Sequence, residues 1–102
     1  MIAQKAGESI KQAVAYELQN IVKKYGAKYH STHEAYAVLK EEVEEAQECM
    51  GALLSHLNTI WSGVRENNIA LIDLDLCKEN AFALAEEAVQ CAAVCERFIE
   101  TI

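Results

Sequence analysis

Glu41, Glu42, Glu44 and Glu45 stand almost consecutively in the stretch STHEAYAVLKEEVEEAQECMG, from Ser31 to Gly51. On a helix each residue advances by about 100°, so the four carboxylates cannot all face one way. The apolar stripe of this stretch reads Ala35, Val38, Leu39, Val43, Ala46, Met50, Leu53 and Leu57, an amphipathic face at helical period. Glu44 falls opposite that stripe, Glu41 and Glu45 flank one edge, and Glu42 falls near the middle. A carboxylate in an apolar stripe is costly unless a cation or hydrogen-bond donors meet it.

The same misfit recurs near the other end of the chain. A stripe of Leu76, Cys77, Ala83, Leu84, Cys91, Val94, Cys95 and Phe98 is interrupted by Asp73, Asn80 and Glu87 at intervals of seven. Glu87 lies well inside that helical pattern, and Gln90, three residues on, lies at its edge. If the two helices pack antiparallel, Glu42, Glu45 and Glu87 converge. Glu42 and Glu45 are three apart and share a helix face, so both can reach one cation, with Glu87 closing the site from the facing helix. A hard divalent ion, Mg2+ or Mn2+, suits such a set: it takes oxygen ligands in octahedral geometry and keeps waters and phosphate oxygens in its shell. A plain surface charge run accounts for Glu41, Glu44, Glu48, Glu79 and Glu86, and fits Glu42 and Glu87 less well.

Three helices must position these groups. Ile10, Ala13, Val14, Leu18, Ile21 and Val22 recur at three and four residues, so a first helix is expected over Ile2 to Lys24. Lys23 and Lys24 complement its negative end, and Gly26 is a natural stop. Tyr25 and Tyr29 flank the connection, where they cover the core end or stack on a base. Ser31 with Glu34 forms a capping box that opens the second helix; Thr32 is the competing cap. Nothing breaks the pattern until Arg65 to Asn68, although Gly51 and Gly63 weaken it. Some 35 residues make about 50 Å of helix. A domain of this size has a radius of gyration near 13 Å, so the helix either bends near Gly51 or runs lengthwise along a partner. The third helix begins between Asn68 and Asp75 and runs to about Glu100.

The chain has 102 residues, 52% of them hydrophobic and 25% charged, the profile of one globular domain, residues 1–102. The absence of proline and the presence of only four glycines suit long uninterrupted helices. A net charge of −7 argues against a nucleic-acid or anionic-membrane partner. It leaves room for a metal-chelated nucleotide. No apolar run is long enough to span a bilayer, and MIAQKAGES does not read as a signal peptide; the cytoplasm is the expected compartment. The four cysteines, Cys49, Cys77, Cys91 and Cys95, sit in helical patterns and read as small buried hydrophobes. Cys91 and Cys95 with His30 or His33 make a weaker zinc alternative without a CxxC pair.

HEAYAVLKEEVEEAQE, from His33 to Glu48, and EEAVQCAAVCERFIE, from Glu86 to Glu100, resemble the MazG-like all-α nucleoside triphosphate pyrophosphohydrolases, most closely the short bacterial and phage type. The family pattern is two adjacent glutamates, two residues, a third glutamate, then later a glutamate two residues short of an aspartate. Glu41, Glu42 and Glu45 match its first half and Glu87 its second. Gln90 occupies the aspartate position, and 41 residues separate Glu45 from Glu87, more than is usual there. The resemblance covers about a third of the chain. It implies magnesium-dependent hydrolysis of a nucleoside triphosphate to the monophosphate and pyrophosphate. Glu42, Glu45, Glu87 and Gln90 would be ligands, and Glu41 a further ligand or a general base, so that Glu41 and Glu42 stand as the catalytic pair. Gln90 adds an amide oxygen but no charge. Lys40 and Arg97 are the nearest basic residues for phosphate oxygens, Arg97 being favoured for its fork geometry.

The expected fold is therefore all-α, MazG-like: a bundle of three main long helices, with room for breaks into four or five. Wide apolar faces leave one side open, so a homodimer is expected to complete the bundle. The alternative to the enzyme is a non-catalytic relative, a metal-stabilised or protein-interaction module, which Gln90 favours.

Overall fold

A computed structural model describes residues 1–102. It contains three helices and no strands: α1 (Gln4–Tyr25), α2 (Thr32–Arg65) and α3 (Leu71–Thr101). Half of the capping box at Ser31 forms: the serine side chain accepts from the Glu34 amide at 3.1 Å. Glu34 reaches back to the His30 amide at 3.4 Å rather than to Ser31 itself. α1 starts two residues later than the periodicity suggests, and its N-cap, Ala3, makes no side-chain cap bond. Gly26 takes φ 95°, where a Cβ is disfavoured, and ends α1.

α2 is continuous through Gly51 and Gly63 over 34 residues. Its expected length of about 51 Å matches the 54 Å long axis of the molecule, so it runs lengthwise and needs no break. The return to α3 is tight. A Cβ on Gly63 would meet the Asn68 carbonyl oxygen at 2.9 Å and the Ile69 Cα at 3.1 Å, and Asn67 turns the chain with φ 52°, a region asparagine tolerates. The molecule measures 54 × 31 × 21 Å with a radius of gyration of 17.2 Å, well above the roughly 13 Å of a compact domain of this length.

α3 is the central element. α2 packs against it antiparallel, as the meeting of Glu42 with Glu87 and of Ala35 with Val94 shows. α1 packs on α3 alone, and runs parallel to it: Glu17 meets Gln90 and Tyr25 meets Arg97. The core sits at the end where the α1–α2 connection crosses α3, around Tyr29, Ala35 and Val94 with Val38, Leu39 and Phe98 against them.

Only five residues are buried, namely Tyr29, Ala35, Ala93, Val94 and Arg97. Five of the eight stripe positions expected on α2, Ala35, Val38, Leu39, Ala46 and Leu53, are buried or half-buried, and three turn outward. Val43, Met50 and Leu57 are exposed, at 42%, 46% and 57%, while Glu42, Cys49 and His56 are the half-buried positions. The physical reason is that α2 carries two apolar stripes. Val43, Met50, Leu54, Leu57, Trp61 and Val64, all exposed, recur at three, four and seven residues along a second, outward seam. A single helical wheel averages the two. No helix is long and apolar enough to cross a membrane.

Candidate metal centre

Glu42 and Glu45 project from neighbouring turns of α2 toward Glu87 of α3. One carboxylate oxygen from each lies within 4.8 Å of the others, and all three side chains are half-buried. One oxygen of Glu87, Oε2, is fully buried with no hydrogen-bond partner. No lysine or arginine pairs with the cluster; the ion pairs of the molecule are Lys40–Glu44 and Lys78–Asp75, both exposed.

This crowding raises the carboxyl pKa values. Burial pushes Glu42 above the ordinary glutamate value, and the charges of Glu45 and then Glu41 add to it, with the adjacent Glu87 carboxyl working against the rise. Glu45 is raised by the close approach of the Glu87 carboxyl and by its charge. Cys91, one turn beyond Glu87, has its thiol pushed up by burial and then by Glu42, which keeps it protonated.

The donor set fits a hard divalent cation. It is all oxygen, it carries negative charge without a protein cation, and it includes an orphaned buried oxygen. Oxygens around one small cation stand roughly 3–4 Å apart, given bonds of about 2.1 Å, so modest closure of the three side chains would seat it. The zinc alternative fails on geometry. The glutamates form the one group of three or more metal-ligating side chains brought together, and no cysteine or histidine belongs to it.

Beside the cluster lies a cavity of about 390 Å³ over α3, between α1 and α2. Ile21 and Tyr25 line it from α1, Tyr29 and His30 from the connection, Glu34, Val38 and Glu42 from α2, and Gln90, Val94 and Arg97 from α3. Glu42 thus belongs to both the cluster and the cavity wall.

The remaining expected residues fall in different places. Glu41 is exposed and acts on the cluster through its charge. Gln90 lines the cavity while its Nε2 donates to Glu17 Oε2 at 3.2 Å. Lys40 is outside the cavity, 2.7 Å from Glu44 with both side chains more than half exposed. Arg97 lines the cavity but is only 6% exposed, with Nε and Nη2 directed to backbone carbonyls. Nε donates to the Gly26 carbonyl at 3.1 Å. Nη2 donates to those of Tyr25 and Lys28 at 3.1 and 3.2 Å. Its guanidinium lies 4.0 Å over the Tyr29 ring. Arg97 therefore closes the carbonyl end of α1; the Tyr25 ring, with Lys24 Nζ at 5.2 Å and the Arg97 guanidinium at 6.0 Å, is the more exposed of the two tyrosines, at 64%.

Glu17 is the residue that the sequence reasoning passed over. It is half-buried beside Val14, Leu18 and Ile21 on the inward stripe of α1. The signal was the same one that marks Glu42, a carboxylate at a helical position meant for packing.

No family model, curated protein or solved structure matches the chain. The functional reading accordingly rests on the geometry of the site.

Proposed function

We propose that this chain is a divalent-metal-dependent nucleoside triphosphate pyrophosphohydrolase of the MazG-like type. The observation that carries the reading is the convergence of Glu42, Glu45 and Glu87, without a protein cation, at the wall of a cavity large enough for a nucleoside.

Glu42, Glu45 and Glu87 would hold Mg2+ or Mn2+, with Gln90 offering an amide oxygen. When bound there, the cation would supply charge neutralisation for the phosphates and lower the pKa of an attacking water. Glu41, exposed at the rim, accepts the proton of that water as general base. The water oxygen bonds to the α-phosphorus as the bond from that phosphorus to the oxygen bridging the α- and β-phosphates breaks, giving the monophosphate and a pyrophosphate that leaves with the bridging oxygen. The nucleoside lies in the cavity with its base against Tyr25. Arg97 adds positive charge to the cavity wall while remaining bound to the backbone. Lys40 reaches phosphate oxygens only by leaving Glu44.

The chain acts as a homodimer in this reading. Five buried residues make a small core for 102, and the outward seam of α2 offers Met50, Leu54, Leu57, Trp61 and Val64 to a second copy.

A non-catalytic bundle of the same ancestry is the second reading. The commitment of Arg97 to three backbone carbonyls favours it. A panel of nucleoside triphosphates with Mg2+ or Mn2+, scored for pyrophosphate release, separates the two. The enzyme releases pyrophosphate and its Glu87→Gln variant does not; a chain that binds metal but releases none is the interaction module.

A further inference from the structure

We infer that Glu17 is a positioning residue for the carboxylate cluster: it holds the Gln90 amide so that the Gln90 carbonyl oxygen serves as a fourth oxygen ligand to the divalent cation. The inference rests on the metal-dependent reading above and brings α1 into it.

The side chain of Gln90 has a donor end and an acceptor end, and which end faces α1 decides what it offers to the cluster. Its partner there is the Glu17 carboxylate, at 3.2 Å. An ionised carboxylate only accepts hydrogen bonds, so the NH2 group must be the end turned toward α1. Gln90 Oε1 is then turned away from Glu17. Gln90 lies three residues after Glu87 on the same face of α3, and it lines the same cavity as Glu42. An amide oxygen is a ligand that hard cations accept.

Glu17 itself otherwise lacks a reason for its place. It is half-buried on the packing stripe of α1, and neither ion pair of the molecule includes it. Its bond to Gln90 accounts for that position, and it restores a charge to the site. The negative charge that a glutamine lacks is present one hydrogen bond further out. Partners of this kind hold a ligand in one orientation and raise its affinity for the metal.

The test is Mn2+ affinity of the full chain, read from the free-ion signal in electron paramagnetic resonance, for the parent and for Glu17→Gln, Gln90→Leu and the double variant. A glutamine at position 17 can donate as well as accept, so the Gln90 amide is no longer held one way round. Glu17→Gln should weaken Mn2+ about tenfold, and Gln90→Leu at least as much. The double variant should bind no more weakly than Gln90→Leu, because Glu17 acts through Gln90. Glu8→Gln, which removes the same charge from an exposed position of α1, should bind as the parent does.

Unchanged affinity in Glu17→Gln overturns the proposal. So does a double variant that loses the sum of both effects, which would make Glu17 a long-range charge. A fall in the metal-free melting temperature of Glu17→Gln with no change in Mn2+ affinity marks a purely structural contact and also overturns it. Failure of the underlying reading looks different: the parent binds no Mn2+, or Glu87→Gln binds it as tightly as the parent.

Discussion

Glu42 of α2 and Glu87 of α3 face each other across the antiparallel helix pair with carboxylate oxygens within 4.8 Å, and no basic side chain pairs with either. Two acids so placed burden the metal-free fold, and that burden makes the proposed site testable by stability as well as by activity.

Mg2+ or Mn2+ should raise the melting temperature. A cation that binds only the folded state at ten times its Kd stabilises by about 1.4 kcal/mol, a rise of roughly 5–10 °C for a chain of this size. Differential scanning fluorimetry with metal and with chelator measures it. Glu87→Gln should show no such rise. A larger effect of low micromolar zinc would contradict the all-oxygen site.

Glu42→Leu should be at least as stable as the parent in chelator, by up to about 2 kcal/mol, and should lose the metal response and any hydrolysis. Glu44→Leu is the control. It removes an exposed pair with Lys40, worth little, and should alter neither. Clear destabilisation by Glu42→Leu in chelator would make Glu42 a structural partner instead.

The advantage of Glu42→Leu should also depend on pH. The folded-state pKa of Glu42 lies above the ordinary 4.5, so between 4.5 and the raised value the folded chain binds more protons than the unfolded one. The stabilising contribution of protonated Glu42 is complete below 4.5 and is lost as pH rises through the folded value. Melting in chelator should therefore show a larger gap between variant and parent at pH 8 than at pH 5. An equal gap at both would mean that Glu42 titrates normally.

Gln90→Asp should bind Mn2+ more tightly than the parent and keep or increase hydrolysis, since it adds a carboxylate at the edge of the cluster. The structure attaches a cost to it. The new acid faces Glu17, which now accepts from Gln90, so the metal-free variant should melt lower than the parent. A variant with no gain in affinity would show that the side chain at position 90 points away from the cation.

Light scattering in the micromolar range should give twice the chain mass. Leu57→Glu, at the middle of the outward seam, should shift the population to monomer. A parent that is already monomeric would remove the role proposed for that seam.

Much of the architecture is legible in residue types. The Ser31 cap, the stop at Gly26 and the turn at Asn67 are local, and each depends on one or two side chains whose preferences hold in any context. The meeting of Glu42, Glu45 and Glu87 was legible because carboxylates on packing faces have few places to go. The face of α2 was harder, since two apolar stripes on one helix blur its phase. Arg97 could not be read at all. Its partners are the carbonyls of Tyr25, Gly26 and Lys28, and backbone acceptors some seventy residues away carry no trace in the side-chain sequence.

That α1 touches α3 and not α2 sets an order of assembly. The second and third helices can fold as a hairpin from contacts close in sequence around the Gly63 turn, which form early and fast. The first helix has no surface to join until α3 exists, and it must wait through the synthesis of all of α2. Its own attachment is then a single hinged step about Gly26. The same step, run backwards, would lift one wall off the cavity while leaving Glu42, Glu45 and Glu87 in place, and amide exchange in α1 faster than in α3 would record it.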